Sequence, residues 1–137
     1  MSTKIQTAML IDDEEIDQKL YKRLLQRSGL VETVISFMGA DEAYDYLKSN
    51  GDVSIDVIFL DINMPRMDGF EFLERVTEEL KADFAHVVIV MLTTSLDPMD
   101  RDRAKKFDVV RDFINKPLEI SHVEHAAKLL AQVRGET

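Results

Sequence analysis

Five short apolar runs alternate with amphipathic segments along this chain of 137 residues. Each run ends at charged or turn-forming residues, which is typical of strands buried on both faces. The segments between the runs repeat apolar residues every three or four positions, as amphipathic helices do. This alternation predicts an α/β fold with a parallel sheet, right-handed crossovers and helices on both faces. The predicted strands are residues 8–11, 34–38, 57–60, 87–92 and 113–114.

The apolar spacing also predicts which face of each helix is buried. The first helix begins near Ile16, and Gly29 is its stop signal. Asn50-Gly51 closes the second helix, while Asp97-Pro98 supplies an N-cap and a first-position proline for a short fourth helix that reaches Phe107. The predicted buried faces are Ile16, Leu20, Leu24 and Leu25 in the first helix, Ala40, Ala43, Tyr44 and Leu47 in the second, Phe70, Leu73, Val76 and Leu80 in the third, and Val123, Ala126, Ala127, Leu130 and Val133 in the last.

Composition and charge exclude several classes of function. A chain of this length fits one domain, and the absence of cysteine excludes disulfides, thiol catalysis and thiolate metal sites. The net charge of −9, from 26 acidic residues against 17 lysines and arginines, argues against binding to nucleic acid, which needs clustered cations. No stretch suits a signal peptide or a membrane span, so the sequence predicts a cytoplasmic protein without membrane insertion.

The residues that follow the apolar runs carry the functional information. Asp12-Asp13 follows the first run, Asp61 the third, Thr93 the fourth and Lys116 the fifth. The carboxyl ends of parallel strands share one edge of the sheet, where open α/β folds place their ligand sites. Carboxylates gathered there repel one another, and a hard divalent cation such as Mg²⁺ relieves that repulsion. A lysine and a hydroxyl beside them indicate a site for a phosphoryl group.

Each of these residues also has a purely structural interpretation. Asp12-Asp13 could belong to an acidic helix start, which the helix macrodipole favours. Asp61 could cap the next turn, Thr93 could be a β-branched residue at a strand end, and Lys116 could be a solvated charge. Four of the five strand ends nevertheless carry matching chemistry, and that coincidence favours one common site.

The same residues resemble the motifs of a known family. They are Asp12-Asp13, the string Asp61-Ile62-Asn63-Met64-Pro65 followed by Asp68-Gly69, then Thr93, and Phe113 three residues before Lys116-Pro117. From Met9 to about Val133 the chain is similar to CheY-like receiver domains, from the response regulators of two-component signalling. The resemblance implies a doubly wound, flavodoxin-like sheet of five parallel strands in the order 2-1-3-4-5 with five helices. It also implies one receiver domain over residues 1–137, with no output domain.

The resemblance implies a role for each residue of the site. Asp61 would be the phosphoacceptor, and Lys116 would pair with an oxygen of the phosphoryl group. Asp13 and Asp61 would bind Mg²⁺ directly, and Asp12 would bind it through water. The backbone carbonyl of Asn63 would complete the protein ligands.

Family resemblance further implies a conformational switch. Thr93 would swing to hydrogen-bond the phosphoryl group, and Phe113 would move inward into the space that it leaves. The face formed by the fourth helix, fifth strand and fifth helix would then change its preference for partners. The bond between Lys116 and Pro117 would be cis.

These roles describe a signalling switch and not an enzyme with a separate substrate, since the chain would catalyse only its own phosphorylation and dephosphorylation. The phosphoryl group would come from a sensor histidine kinase or a histidine phosphotransfer protein. A downstream protein target would recognise the switched face. The chain would be a monomer or a weak homodimer.

Two other functions and two departures from the family pattern bear on this interpretation. A pseudo-receiver, which binds partners without phosphorylation, predicts loss of Asp61, Lys116 or the acid pair, yet all are present. A haloacid-dehalogenase-like phosphatase carries a second acid two residues after its nucleophile, where this chain has Asn63.

Thr94 is bulkier than the residue that the family usually has beside the switch threonine, and its hydroxyl is a second candidate for the switch hydroxyl. Asp108 stands where the family often has glycine, which predicts a left-handed residue in that turn.

Overall fold

The computed structural model describes residues 5–49, 55–80 and 86–135, which contain five strands and five helices. Asn50-Gly51, the predicted end of the second helix, lies outside these ranges. None of the described helices has the length and apolarity needed to cross a membrane. The elements are β1 (Ile5–Ile11), α1 (Glu15–Arg27), β2 (Val31–Phe37), α2 (Ala40–Ser49), β3 (Val57–Asp61), α3 (Gly69–Glu79), β4 (Val88–Thr93), α4 (Pro98–Ala104), β5 (Val110–Asn115) and α5 (Ile120–Val133).

The five strands form one parallel sheet in the order β2-β1-β3-β4-β5. The predicted fold class and strand order are therefore confirmed. The register brings Asp61 opposite Leu92 and Thr93 opposite Asn115. Because neighbouring strands end at nearly the same level, the residues that follow them lie along one edge of the sheet.

Side chains that alternate along each strand fill two separate cores. In β1, Met9 and Ile11 pack with α2 and α3 on one face, whereas Ala8 and Leu10 pack with α1 and α5 on the other. Ala104 of α4 belongs to the first core. All five residues of β3 are buried, as expected for a central strand covered on both faces.

The buried faces of α2, α3 and α5 agree with the apolar spacing. In α2 all four predicted residues are buried, and in α3 Phe70, Leu73 and Val76 are buried while Leu80 is half-buried. The predicted face of α5 is buried except for Val133, which is half-buried.

The predicted face of α1 is only partly correct. Leu25 is buried and Leu24 half-buried, but Ile16 is 73% exposed and Leu20 is 55% exposed. The positions that α1 buries near its start are those of polar Gln18 and, one turn later, Tyr21.

Hydrogen bonds explain this rotation of α1. The side-chain amide of Gln18 donates to the carbonyl oxygen of Asp12 at 2.8 Å and to that of Phe37 at 2.7 Å. These carbonyls lie just past the end of β1 and at the end of β2, so one amide group satisfies the ends of two strands. Burial of Gln18 between them turns Ile16 and Leu20 outward.

The segment between α4 and β5 differs from its prediction. Asp97 caps α4 as expected, accepting a hydrogen bond from the Met99 amide at 3.0 Å, but the helix ends at Ala104 and not at Phe107. Asp108 does not have a positive φ. Among the described residues other than glycine, only Arg66 does, at 67°. Asp108 therefore stands in the place of the family's glycine without backbone strain in this turn.

The close approach of α3 to the end of β3 requires glycine at position 69. The Gly69 amide donates to the Ile62 carbonyl at 2.8 Å. A β-carbon on Gly69 would lie 2.7 Å from the backbone oxygen of Asp61 and 3.0 Å from Cα of Ile62, which is too close for non-bonded atoms. Asp68 and Glu71 form a capping box that begins α3 at this point.

Candidate functional site

Three carboxylates converge at the carboxyl edge of the sheet. Asp12 and Asp13 follow β1, and Asp61 ends β3 in the next position of the sheet. One carboxylate oxygen from each residue lies within 4.8 Å of the other two. Asp12 has no exposed surface and Asp61 is 6% exposed, whereas Asp13 is half-buried. The edge therefore concentrates negative charge in a place that water reaches only from one side.

Lys116 reaches the same place from the end of β5. Its Nζ atom lies 2.9 Å from Asp12 Oδ2, 2.8 Å from Asp17 Oδ2 and 3.6 Å from Asp61 Oδ1. The lysine side chain is only 8% exposed. Burial alone would lower the pKa of Lys116, but its hydrogen bonds to Asp17 and Asp12 outweigh that effect, so the pKa is raised and the ammonium stays charged.

Both oxygens of Asp12 have hydrogen-bond donors. Oδ2 accepts from Lys116, and Oδ1 accepts from the backbone amide of Glu14 at 2.9 Å. Burial raises the pKa of Asp12 above its ordinary value, and these two hydrogen bonds offset only part of the rise. Asp12 is thus fixed in orientation before any ligand arrives.

Asp61 has the most perturbed carboxyl group of the site. Burial and the nearby charge of Asp12 raise its pKa to about 7, although Lys116 acts in the opposite direction. A carboxylate in this position gains from any cation that offsets the surrounding negative charge.

The donor set fits Mg²⁺. All three carboxylates are hard oxygen ligands, their spacing allows one ion to contact them together, and a small number of protein ligands leaves room for the waters that Mg²⁺ retains. Asn63, predicted to add its carbonyl oxygen, lies two residues beyond Asp61 in the loop before α3 and is exposed.

Thr93 lies at the end of β4, next to Asp61 in the sheet, and is fully buried. Its hydroxyl accepts a hydrogen bond from the Ser95 amide at 2.9 Å, and its carbonyl accepts one from the Lys116 amide at 2.8 Å. Thr94, by contrast, is exposed. The bond between Lys116 and Pro117 is cis.

Phe113, the predicted partner of the switch, is half-buried on β5. The guanidinium carbon of Arg101 in α4 lies 4.8 Å from the centre of its ring. A cleft of about 160 Å³ opens beside it, lined in part by Ser95, Pro98 and Asn115. The ring thus lies between an arginine of α4 and the loop that follows Thr93.

The sequence interpretation missed two residues of this site. It gave no role in the site to Asp17, although Asp17 bonds to Lys116, and none to Gln18. Asp17 lies in the first turn of α1, which directly follows the acid pair, and that closeness to Asp12-Asp13 in the sequence is the signal that could have found it. His122 also lies outside the site, since it accepts a hydrogen bond from the Glu119 amide at 2.9 Å and caps α5.

Comparison with known families identifies the class of protein. Residues 8–128 match the response regulator receiver domain. The chain belongs to this family.

Relatives with curated descriptions agree with that assignment. The two-component response regulator ARR6 of Arabidopsis thaliana is 31% identical over 133 residues, which are 91% of this chain and 69% of that protein. The hybrid signal transduction histidine kinase L of Dictyostelium discoideum is 34% identical over 122 residues, which are 88% of this chain but only 7% of the kinase. The chain thus corresponds to a small part of that longer protein.

Solved structures show the same fold. A two component response regulator from Cytophaga hutchinsonii superposes with a TM-score of 0.87 at 25% identity, covering 94% of this chain and 98% of its own. A response regulator receiver protein from Dyadobacter fermentans gives a TM-score of 0.80 at 30% identity, with 94% and 98% covered.

Proposed function

We propose that this receiver domain is a phosphoryl-accepting switch of two-component signalling and that Asp61 accepts the phosphoryl group. One observation carries the proposal: Asp61 lies in the same small space as two further carboxylates and the ammonium of Lys116, at the end of a central strand. This arrangement matches phosphoryl transfer, in which positioning and neutralisation of charge supply most of the catalysis. The chain's own catalysis is limited to its phosphorylation and dephosphorylation.

The proposed step is a transfer from phosphohistidine to carboxylate. A carboxylate oxygen of Asp61 forms a bond to phosphorus while the bond between phosphorus and the donor's imidazole nitrogen breaks. The electron pair of the broken bond stays on that nitrogen. Asp61 must be ionised to attack, and its pKa of about 7 means that neutralising charges nearby determine how much of it is ionised.

We propose that Asp13 and Asp61 bind Mg²⁺ directly, together with the carbonyl oxygen of Asn63. Asp12 contributes through water, since both of its oxygens already accept hydrogen bonds from the protein. When bound, Mg²⁺ neutralises negative charge on the transferring group. Lys116, whose Nζ atom lies 3.6 Å from Asp61 Oδ1, supplies the second neutralising charge.

The switch extends from Asp61 to the face formed by α4, β5 and α5. In the unphosphorylated chain the Thr93 hydroxyl is bonded to the Ser95 amide. We propose that Thr93 leaves this amide to bond the phosphoryl group and that Phe113 moves inward, which changes the surface that α4, β5 and α5 offer to a downstream protein.

A protein phosphodonor, a sensor histidine kinase or a histidine phosphotransfer protein, suits the surface around the site. Ile16 and Leu20 turn outward on α1, 73% and 55% exposed, and α1 begins only two residues after the acid pair. Exposed apolar residues beside a reactive group favour contact with a partner. Cytoplasmic location and a state of monomer or weak homodimer stay predictions from the sequence.

Intact mass after incubation with acetyl phosphate tests the proposal. Wild type with Mg²⁺ gains the mass of one phosphoryl group, and Asp61→Asn gains none. Asp68→Asn, which changes a half-buried acid seven residues later to another residue that can cap α3, is the matched control and keeps the adduct. An adduct of equal yield on Asp61→Asn would overturn the assignment, and no adduct from acetyl phosphate or from any histidine donor would favour the pseudo-receiver.

A further inference from the structure

Asp17 is a charged residue of the site that phosphoryl transfer, as proposed above, leaves without a role. Its Oδ2 atom accepts a hydrogen bond from Lys116 Nζ at 2.8 Å, as short as the bond of 2.9 Å from Lys116 to Asp12. Asp61 is farther from the ammonium, at 3.6 Å. In the unphosphorylated chain Lys116 is therefore held mainly by two acids that do not accept the phosphoryl group.

The surroundings of Lys116 strengthen its hydrogen bonds to Asp12 and Asp17. Its side chain is 8% exposed, and the ring of Tyr21 in α1 lies 5.9 Å from Nζ, so little water is available to replace a lost partner. Charge-assisted hydrogen bonds in such a place are stronger than those at the surface. A lysine that moves toward Asp61 must weaken or break its bond to Asp17.

Phosphorylation changes the balance of charge around this lysine. An aspartyl phosphate carries more negative charge than the carboxylate it replaces, and its oxygens extend beyond the position of Asp61 Oδ1. The phosphoryl group therefore attracts the ammonium away from the start of α1. Asp17, which is one-quarter exposed and placed in the first turn of α1, is the partner most easily given up.

We propose that Asp17 is a positioning residue that competes with the phosphoryl group for Lys116 and thereby limits how firmly the site retains that group. This inference rests on the proposed function of Asp61. Asp17 acts through its hydrogen bond to Lys116 and does not belong to the cluster of three carboxylates that suits a metal.

Beryllofluoride, a stable mimic of the phosphoryl group, provides the test, because bound and free forms are separate signals in fluorine NMR. With Mg²⁺ saturating for each variant, Asp17→Asn binds beryllofluoride about five to ten times more tightly than wild type, since Lys116 loses one of its two competing acids and keeps only Asp12. The same substitution lowers the stability of the free chain, because Lys116 loses a partner and the start of α1 loses an acid. A merely structural role would weaken binding and stability together.

Two control variants separate contact from general charge. Asp17→Glu keeps the carboxylate and returns affinity toward that of wild type. Glu15→Gln removes one negative charge from the same helical turn, but Glu15 is 76% exposed and pairs with Lys19, so binding changes less than twofold.

The outcomes distinguish this inference from the proposed function. If wild type binds beryllofluoride and Asp61→Asn does not, the assignment of Asp61 as the phosphoacceptor is supported. Unchanged or weaker binding by Asp17→Asn then overturns the role of Asp17 alone. Equal tightening by Glu15→Gln also overturns it, because the effect would be one of net charge. If wild type fails to bind, or Asp61→Asn binds equally, the proposed function and this inference fail together.

Discussion

Lys116 Nζ donates to Asp12 Oδ2 across 104 positions of sequence and two intervening strands of the sheet. The pair joins the end of the edge strand β5 to the end of β1, and passes over β3 and β4. It is a buried pair, with side chains 8% and 0% exposed. An ion pair in this position connects the halves of the sheet as well as serving the chemistry of the site.

Loss of Lys116 will destabilise the fold in a pH-dependent way. Lys116→Gln leaves Asp12 and Asp61 buried without their cation, which costs about 3 kcal/mol of unfolding free energy at pH 7.5. At pH 5 the loss is smaller, because Asp61, whose pKa is raised to about 7, takes up a proton and no longer needs the cation. Urea unfolding at the two pH values measures this, with Lys105→Gln, 72% exposed, as the control. Equal losses at both pH values would contradict the ion-pair account.

Asp61 will make the chain less stable as pH rises when Mg²⁺ is removed. Its pKa is raised from 3.8 to about 7, so the folded chain keeps a proton that the unfolded chain releases between these values. Unfolding then releases protons, and stability falls across this range. Asp61→Asn lacks the effect and becomes more stable than wild type by roughly 2–4 kcal/mol at pH 7.5, but much less at pH 4.5. The free energy of unfolding of both proteins is measured against pH in EDTA. Parallel curves would show that the pKa of Asp61 is not raised by folding.

Mg²⁺ will stabilise the folded chain. Binding to the folded state alone adds about 2.7 kcal/mol at a hundredfold excess over the dissociation constant. Thermal unfolding during a Mg²⁺ titration at constant ionic strength measures the effect. Asp13→Asn should lose most of it, since Asp13 is a proposed metal ligand and lies in the carboxylate cluster of the site. An unchanged melting temperature of wild type would exclude the metal site.

Transfer from a protein donor will depend on the exposed apolar residues of α1. Ile16→Glu slows phosphorylation by a cognate phosphohistidine protein about tenfold but leaves phosphorylation by acetyl phosphate unchanged, because only the protein donor needs the surface. Met99→Glu is the matched control, since Met99 is also 73% exposed but lies on α4. Equal slowing with both donors would indicate damage to the site instead.

Arg101 will bias the position of Phe113. Removing the guanidinium from above the ring eliminates an attraction of about 0.5–1 kcal/mol, so Arg101→Gln shifts the Phe113 ring resonances toward their phosphorylated positions before any phosphorylation. Arg103→Gln is the control, because Arg103 lies over Phe70 instead. If the Phe113 ring resonances of the wild type do not move on phosphorylation, the proposed movement of Phe113 is wrong.

The parts of the fold that follow from hydrophobic spacing could be predicted, and those that depend on distant polar contacts could not. Apolar runs place β3 and β4 correctly because both are buried on both faces. The face of α1 was wrong because Gln18 is buried by hydrogen bonds to two strand ends, which no measure of hydrophobicity registers. Asp17 was missed because its partner lies 99 residues away, at the far side of the sheet.

The site depends on Gly69, a residue without a functional group of its own. The helix α3 can approach the end of β3 only because position 69 lacks a side chain, and a single methyl group there would press on the backbone of Asp61. A Gly69→Ala allele would therefore distort the backbone at Asp61 while leaving every acid, the lysine and the threonine in the sequence. The defect would lie in the geometry of the site and not in its chemical groups, so the Gly69→Ala chain would keep the charges of the site and lose their arrangement.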